Sequence, residues 1–442
     1  MTARDQLMGQ LADAEFHDIP RSELEPLWLA AANERLTLQR KRIPVLSKLA
    51  DDLGITELRR LEDLVPLLFA HSNYKSYPDT FISKGRYDLM NRWLDTLSAT
   101  RVEGFDVDGL NDQDDWLDRL NANGHHVVVT TGTSGKNSFL PATAADRDFS
   151  LQNFDQEMAR SYGESRNDRV VFILGPKIGP HRSALHFRRM AETLGRPDAV
   201  FFLIEDRLRL ADLSRMSRLR AAIGAGTAKP SEIAALQREG AARQEAMAAR
   251  LDAIIDELLK YRHDPMILIG PWAQLWTIVE RARARGIAAG DFHPDTRVAA
   301  GGGTKGANLP EDFQVQILGF FGMTPADLPN AYGMSELSVP LAGFDGRYRP
   351  APWVIPLLLD DSGEKLVHQD HGTAEGRFAF FDIATEGRWG GVITGDRVKA
   401  DFSTPNTSIV YDSITRYSEL QGGDDKLTCA GTIDSYVRGI ME

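Results

Sequence analysis

The sequence predicts an α/β protein: a large N-terminal domain with parallel or mixed sheets flanked by helices, followed by a smaller β-rich subdomain. Three observations predict it. The first hundred residues carry apolar side chains at helical spacing, as in LEPLWLAAANERLTLQRKRIPVLSKLADDLG (24–54) and RYDLMNRWLDTLSA (86–99), punctuated by Gly and Pro. From residue 126 the texture changes, and short apolar, β-rich runs alternate with helical stretches. After Tyr332 it changes again, to strand-like runs joined by short turns.

Each element follows from these patterns. VVVTT (127–131), RVVFILG (169–175), DAVFFLIE (198–205) and DPMILIG (264–270) read as strands closed by Gly or acidic residues, with the longest intervening helix at 231–262. Strands alternating with helices mark a largely parallel sheet. WVIPLLLDD, GRFAFFDIA, GGVITGDRVKADF and TSIVYDSI read as an antiparallel subdomain. The boundaries expected from this are a helical segment at 1–120, an α/β core at 121–335 and a β-rich subdomain at 336–442.

Composition restricts the function. The 442-residue chain is 42% hydrophobic and 26% charged, as soluble globular proteins are. A net charge of −12 argues against a partner that is nucleic acid bound over a broad phosphate-contacting surface, although a local nest of donors still accommodates a small anion. The single cysteine, Cys429, excludes an intramolecular disulfide framework and a Cys-based zinc cluster, and suits a reducing cytosol. The charged N-terminus has no apolar core of a signal peptide, and no run approaches the roughly 18 apolar residues of a membrane span. A cytoplasmic protein with no membrane span is expected.

Four segments carry chemistry. In TTGTSGK a strand runs into Thr130, Thr131, Gly132, Thr133, Ser134, Gly135 and Lys136, a density of backbone N–H groups, hydroxyls and positive charge that suits phosphate oxygens. Gly132 and Gly135 are only three apart, so this is not GxxxxGK[ST]; a polar βα or hairpin turn is the structural alternative. In VAAGGGTKGANLP the glycines Gly301, Gly302 and Gly303 permit close backbone approach, with Lys305 just beyond, or they form a plain βα connection. In NAYGMSELS, Tyr332 offers a flat ring, Gly333 a turn beneath it and Glu336 a carboxylate for a divalent metal; a capped turn before a strand is the alternative. In GGVITGDRVKAD, Asp396 is placed to accept two hydrogen bonds from a ribose diol, or to serve as a turn aspartate.

In this order the segments resemble the core motifs of the adenylate-forming superfamily, whose members activate a carboxylate with ATP to an acyl-adenylate and pyrophosphate. The resemblance covers roughly residues 125 to 440. It implies ATP and Mg²⁺ as cofactors and makes the large domain an adenylation domain. TTGTSGK resembles the phosphate loop; Ala331, Tyr332, Gly333, Met334, Ser335 and Glu336 resemble the adenine and magnesium motif; and TGD resembles the ribose motif. GGGTKG, RPAPWVIPLLLDDSGEKL and RFAFFDIATEGRWGGVITGD are similar to segments of the acyl-protein synthetase branch, with Thr304 where that branch carries an aromatic residue. A plainer likeness runs to phenylacetate-CoA ligases and plant amido synthetases.

The resemblance carries further expectations. Gly302 and Gly303 would approach the nucleotide, while Gly301 and His181, in GPKIGPHRSALHF, would line the pocket of a fatty or smaller carboxylic acid. Thr432 stands where relatives carry the Arg of a Gly-Arg pair, and the chain ends at Glu442, so a mobile C-terminal domain with its catalytic lysine is expected to be lacking. Lys305 or Lys136 would then neutralise the α-phosphate, Lys305 being favoured. The acceptor would be a protein thiol or hydroxyl, CoA or an amine. Cys429 precedes the Arg438–Gly439 pair, whereas the branch's acylated cysteine follows it, so a structural cysteine is the expected reading. The alternatives are a ligase for a small carboxylate and a non-catalytic homologue used for binding.

Overall fold

The computed structural model describes the chain except residues 13–15, 103–104, 132–135, 164–166, 302–306, 329, 368, 370, 404, 421–424, 426 and 442. The protein is α/β, and packing groups it in an order that is not linear. One compact unit contains Met1–Asn153 and Asn330–Glu442, and the other Phe154–Pro329.

The second unit is built on four parallel strands, in the order Gly195–Arg207, Arg169–Ile178, Met266–Pro271 and Arg297–Gly301. Side chains of a strand alternate between faces, and here both faces are buried. Val170, Phe172 and Leu268 join one core with Leu275, Ile278 and Ile255 of helices Trp272–Ala284 and Pro230–Lys260. Val171, Ile173 and Ile267 join another with Met158, Met190 and Leu194. The RVVFILG, DAVFFLIE and DPMILIG runs are continuous in apolar residues for this reason.

The first unit is centred on a mixed sheet that holds nine strands among the described residues. Its spine is the antiparallel series Val354–Leu359, Thr373–Asp382 and Gly391–Asp401. Beyond Gly391–Asp401 lie Ser408–Val410, Arg347–Arg349, Leu341–Phe344 and Ala331–Tyr332 in succession. The helical N-terminal segment contributes a strand that periodicity did not signal: Phe69–Ala70 pairs in parallel with Val392 and Ile393. Its two residues are too few for a period to register. The TSIVYDSI run forms only Ser408–Val410, because Asp412 takes a positive φ of 56° and turns the chain. Thr415–Arg416 then returns to pair with Asp396 and Arg397.

Of the two alternatives for the TTGTSGK stretch, the structure shows the hairpin. His126–Thr131 pairs antiparallel with Asn137–Ala142, whose side chains are all buried. The Arg21–Gln39 and Pro44–Asp52 helices divide the 24–54 run at Pro44, which opens the second helix at its first turn. Among the described residues, no helix is long and apolar enough to cross a membrane.

The turn at 383–390, between the two longest strands of the sheet, is buried in this unit. A Cβ built on Gly387 would lie 2.5 Å from Ala142 Cα and 2.6 Å from its carbonyl carbon, both backbone atoms. Gly387→Ala is therefore expected to lower unfolding free energy by about 1–3 kcal/mol through overpacking. Denaturant unfolding at unchanged m-value checks this, while Gly431→Ala, with open space around its Cα, serves as the tolerated control.

Candidate nucleotide site

In the first unit two of the motif residues converge. Asp396 lies on Gly391–Asp401 and Tyr332 on Ala331–Tyr332, and the Tyr332 hydroxyl donates to Asp396 Oδ2 at 2.6 Å. Both side chains are buried. The Asp396 amide donates to Thr394 Oγ1 at 3.1 Å, and that hydroxyl donates to the Phe378 carbonyl at 2.7 Å. The Tyr332 ring packs tilted against Tyr348 at 5.8 Å and Phe378 at 5.7 Å. Burial first, and the Asp396 carboxylate second, push the Tyr332 phenol well above its ordinary value near 10.

A residue that sequence reasoning missed completes the group. Arg416 sits opposite Asp396 in the strand register and places Nε 3.3 Å from Asp396 Oδ1. Nothing in SITRYSEL marks it, because its role depends on a two-residue strand. Thr432, where the resemblance expected an arginine, bonds within the helix Thr428–Met441 and is exposed. Cys429 lies on that helix too, and burial raises its thiol pKa, which leaves little thiolate near neutrality.

Ala331 and Gly333 flank Tyr332 and are exposed, and Gly333 approaches Pro340 closely enough that a Cβ would lie 3.2 Å from the proline Cβ. Met334 and Ser335 are half-buried. The loop then carries Glu336, also half-buried, whose carboxylate makes no hydrogen bond or ion pair among the described residues. Its backbone is held: the Glu336 carbonyl accepts from Arg388 Nη2 at 2.6 Å, and the Ser338 amide donates to Asp382 Oδ2 at 2.6 Å. Asp382 is fully buried, which raises its pKa against the bonds that lower it.

Of the TTGTSGK residues, Thr130 and Thr131 end the first hairpin strand, paired with Ser138 and Asn137. Gly132, Thr133, Ser134 and Gly135 lie outside the described residues, as do Gly302, Gly303 and Lys305. Lys136 is held within the first unit: Nζ donates to the Tyr77 carbonyl, lies 3.1 Å from Asp79 Oδ1 and sits 4.4 Å from the Tyr77 ring centroid. Gly301 ends a strand of the second unit, exposed, and His181 caps the helix Arg182–Leu194 of that unit from an extended backbone. Among the described residues no group of His, Cys, Asp and Glu forms a metal cluster.

On the far side of Asp396's strand, a Cβ on Gly395 would meet Asp425 Oδ2 at 2.9 Å and His71 Cε1 at 3.2 Å. His71 Nε2 lies 3.4 Å from Asp425 Oδ2, and Asp425 Oδ1 accepts from the buried Arg377 at 2.8 Å. Burial lowers the His71 pKa more than Asp425 raises it. The glycine of TGD thus has a packing reason independent of any ligand.

No protein-family profile and no curated protein matches this chain. Solved structures do. A 2-hydroxyisobutyryl-CoA ligase in the postadenylation state, in complex with 2-HIB-AMP, superposes with a TM-score of 0.51 at 13% identity, over 92% of this chain and 71% of that one. The same ligase with 2-HIB-AMP and CoA in the thioesterification state gives 0.51 at 13%, over 90% and 70%. Its open conformation with both ligands gives 0.50 at 11%, over 91% and 72%. The chain shares the fold of these ligase structures.

The Tyr332 bond has a pH signature. Because the folded-state pKa is raised, its contribution is fully present below the unfolded value near 10 and is lost as pH rises from there towards the folded value. Tyr332→Phe is expected to cost about 1.5–3 kcal/mol at neutral pH, as for a hydrogen bond to a charged group. In a tyrosinate absorbance titration near pH 10, Tyr332→Phe should remove no ionising phenol from the native protein and one from the unfolded chain.

Proposed function

We propose that this protein is an adenylate-forming ligase: it activates a carboxylic acid with ATP to an acyl-adenylate, releasing pyrophosphate, and passes the acyl group to a thiol, hydroxyl or amine. The observation that carries the reading is the meeting of Tyr332 with Asp396, two motif residues far apart in sequence. The shared fold supports it independently.

The residues present suit the nucleotide and the metal. Asp396 would hold the ribose diol, with Arg416 beside it supplying the cation that Thr432 lacks. Tyr332 and the flanking Ala331 and Gly333 would face adenine. Glu336, a half-buried carboxylate without a hydrogen-bond or ion-pair partner among the described residues, would hold Mg²⁺. When bound, Mg²⁺ supplies charge neutralisation at the phosphates.

The chain's own groups then act by position and charge. The hairpin bearing Thr130 and Thr131 presents the phosphate loop. On the family resemblance, Lys305 would balance charge developing on the α-phosphate, an effect that is large where water is excluded. Orienting the carboxylate for in-line attack contributes as much as charge does. On the family resemblance, His181 and Gly301 would line the pocket of the carboxylic acid.

The finer reading places the protein nearest the acyl-protein synthetases, on its GGGTKG and RPAPWVIPLLLDDSGEKL segments. A second reading, a CoA ligase for a small carboxylate, is favoured by the fold likeness to 2-hydroxyisobutyryl-CoA ligase.

ATP–pyrophosphate exchange across fatty, aromatic and small hydroxy acids tests the proposal, and carboxylate-dependent exchange is the expected result. Asp396→Ala should raise the apparent KM for ATP about 10- to 100-fold, the equivalent of one or two charge-assisted hydrogen bonds. Lys305→Ala should lower the exchange rate about 100-fold. Lys136→Ala should lower it less, since Nζ is already paired with Asp79. Silence across the panel together with absent ATP binding would leave a non-catalytic binding protein instead.

A further inference from the structure

Arg388 makes an unusual set of bonds for a buried arginine. Its side chain is only 4% exposed, yet it donates to two backbone carbonyls and forms no ion pair among the described residues. Nη2 reaches Glu336 O at 2.6 Å and Nη1 reaches Pro141 O at 3.2 Å. Pro141 lies on Asn137–Ala142, paired with Val127 in the hairpin that carries the TTGTSGK loop. One planar guanidinium therefore spans the phosphate-loop hairpin and the loop that presents Glu336. Nε is buried with no hydrogen-bond partner among the described residues. Asp382 fixes the same loop two residues on, through the Ser338 amide at 2.6 Å.

We propose that Arg388 is a positioning residue that sets the spacing between the phosphate-loop hairpin and the Glu336 carboxylate, with Asp382 locking the Glu336 side alone. A fork of fixed geometry suits this role, because its donors diverge rigidly, whereas an ammonium is a single point on a flexible stem. The inference rests on the adenylation reading for its catalytic consequence, since the hairpin would hold the phosphates and Glu336 the metal. Small errors in such spacing cost rate steeply, about 100-fold for a displacement near 1 Å.

The test uses the full-length protein and three variants, Arg388→Lys, Arg388→Met and Asp382→Asn. In ATP–pyrophosphate exchange, Arg388→Lys is expected to raise both the half-saturating Mg²⁺ and the apparent KM for pyrophosphate, and to lower the maximal rate about 10- to 100-fold. Asp382→Asn should raise the Mg²⁺ requirement and leave the pyrophosphate KM unchanged. Hydrogen exchange, which needs no activity, should show Arg388→Met deprotecting residues 137–142 and 334–338 together, while Asp382→Asn deprotects 334–338 alone. A loss of activity that only follows the folded fraction, with both constants unchanged, would overturn the proposal, as would separate deprotection of the two segments in Arg388→Met. A wild type without carboxylate-dependent exchange, but with the two segments deprotected together, would overturn the adenylation reading and leave the clamp standing.

Discussion

The turn at residues 383–390 accepts and donates more long-range hydrogen bonds than a surface turn needs, and the architecture of the first unit depends on it. Its carbonyls are buried, so each must find a donor inside the protein. Arg35 Nη2 donates to Thr385 O at 2.5 Å, and Gln39 Nε2 reaches Arg388 O at 2.9 Å. Ala99 N donates to Gly387 O at 2.8 Å. In the other direction, the amides of Glu386 and Gly387 donate to the two oxygens of Asp146 at 2.6 and 2.9 Å. The N-terminal helices, the hairpin that carries TTGTSGK and the helix that follows it are thereby referred to one piece of backbone. Burial lowers the Arg35 pKa, and the Glu386 carboxylate opposes that shift. Such an arrangement is costly to leave half-satisfied, so it specifies one packing.

Much of this was legible in the sequence, and what was missed has a common cause. The runs at 169–175, 198–205 and 264–270 declared the parallel sheet because a strand buried on both faces must be apolar throughout. The long strands after Trp353 declared themselves similarly. The missing elements were those whose identity lies in a distant partner. Phe69–Ala70 is a strand only because Val392 and Ile393 lie alongside it, and Arg416 meets Asp396 only because Thr415–Arg416 returns to that strand. Arg388 and Asp382 were hidden for the same reason, since each acts on backbone atoms and no motif requires a side chain at the receiving end.

TGD illustrates how one motif answers to two constraints. Successive residues of a strand face opposite sides of the sheet. Asp396 therefore turns towards Tyr332 and Arg416, while Gly395 leaves room for His71 and Asp425 on the reverse side. A sequence pattern reports both as a single signature. The structure separates them into a side chain chosen for its oxygens and a glycine chosen for its missing Cβ.

The two partners of Asp396 are not equivalent, and their difference bears on how a diol would be read. Tyr332 is buried, and its raised pKa keeps the phenol protonated throughout the physiological range, so Oδ2 always has its donor. Arg416 is more than half exposed and its ion pair at 3.3 Å is open to water, where such pairs contribute little. A carboxylate offers about four lone-pair sites, and the Tyr332 hydrogen bond takes one of them. Tyr332 fixes the orientation of the buried carboxylate, while on the Arg416 side Oδ1 keeps acceptor capacity beside an exposed guanidinium. A hydroxyl pair arriving there would displace only a weak ion pair, and it would meet an acceptor already oriented by a bond that does not have to break.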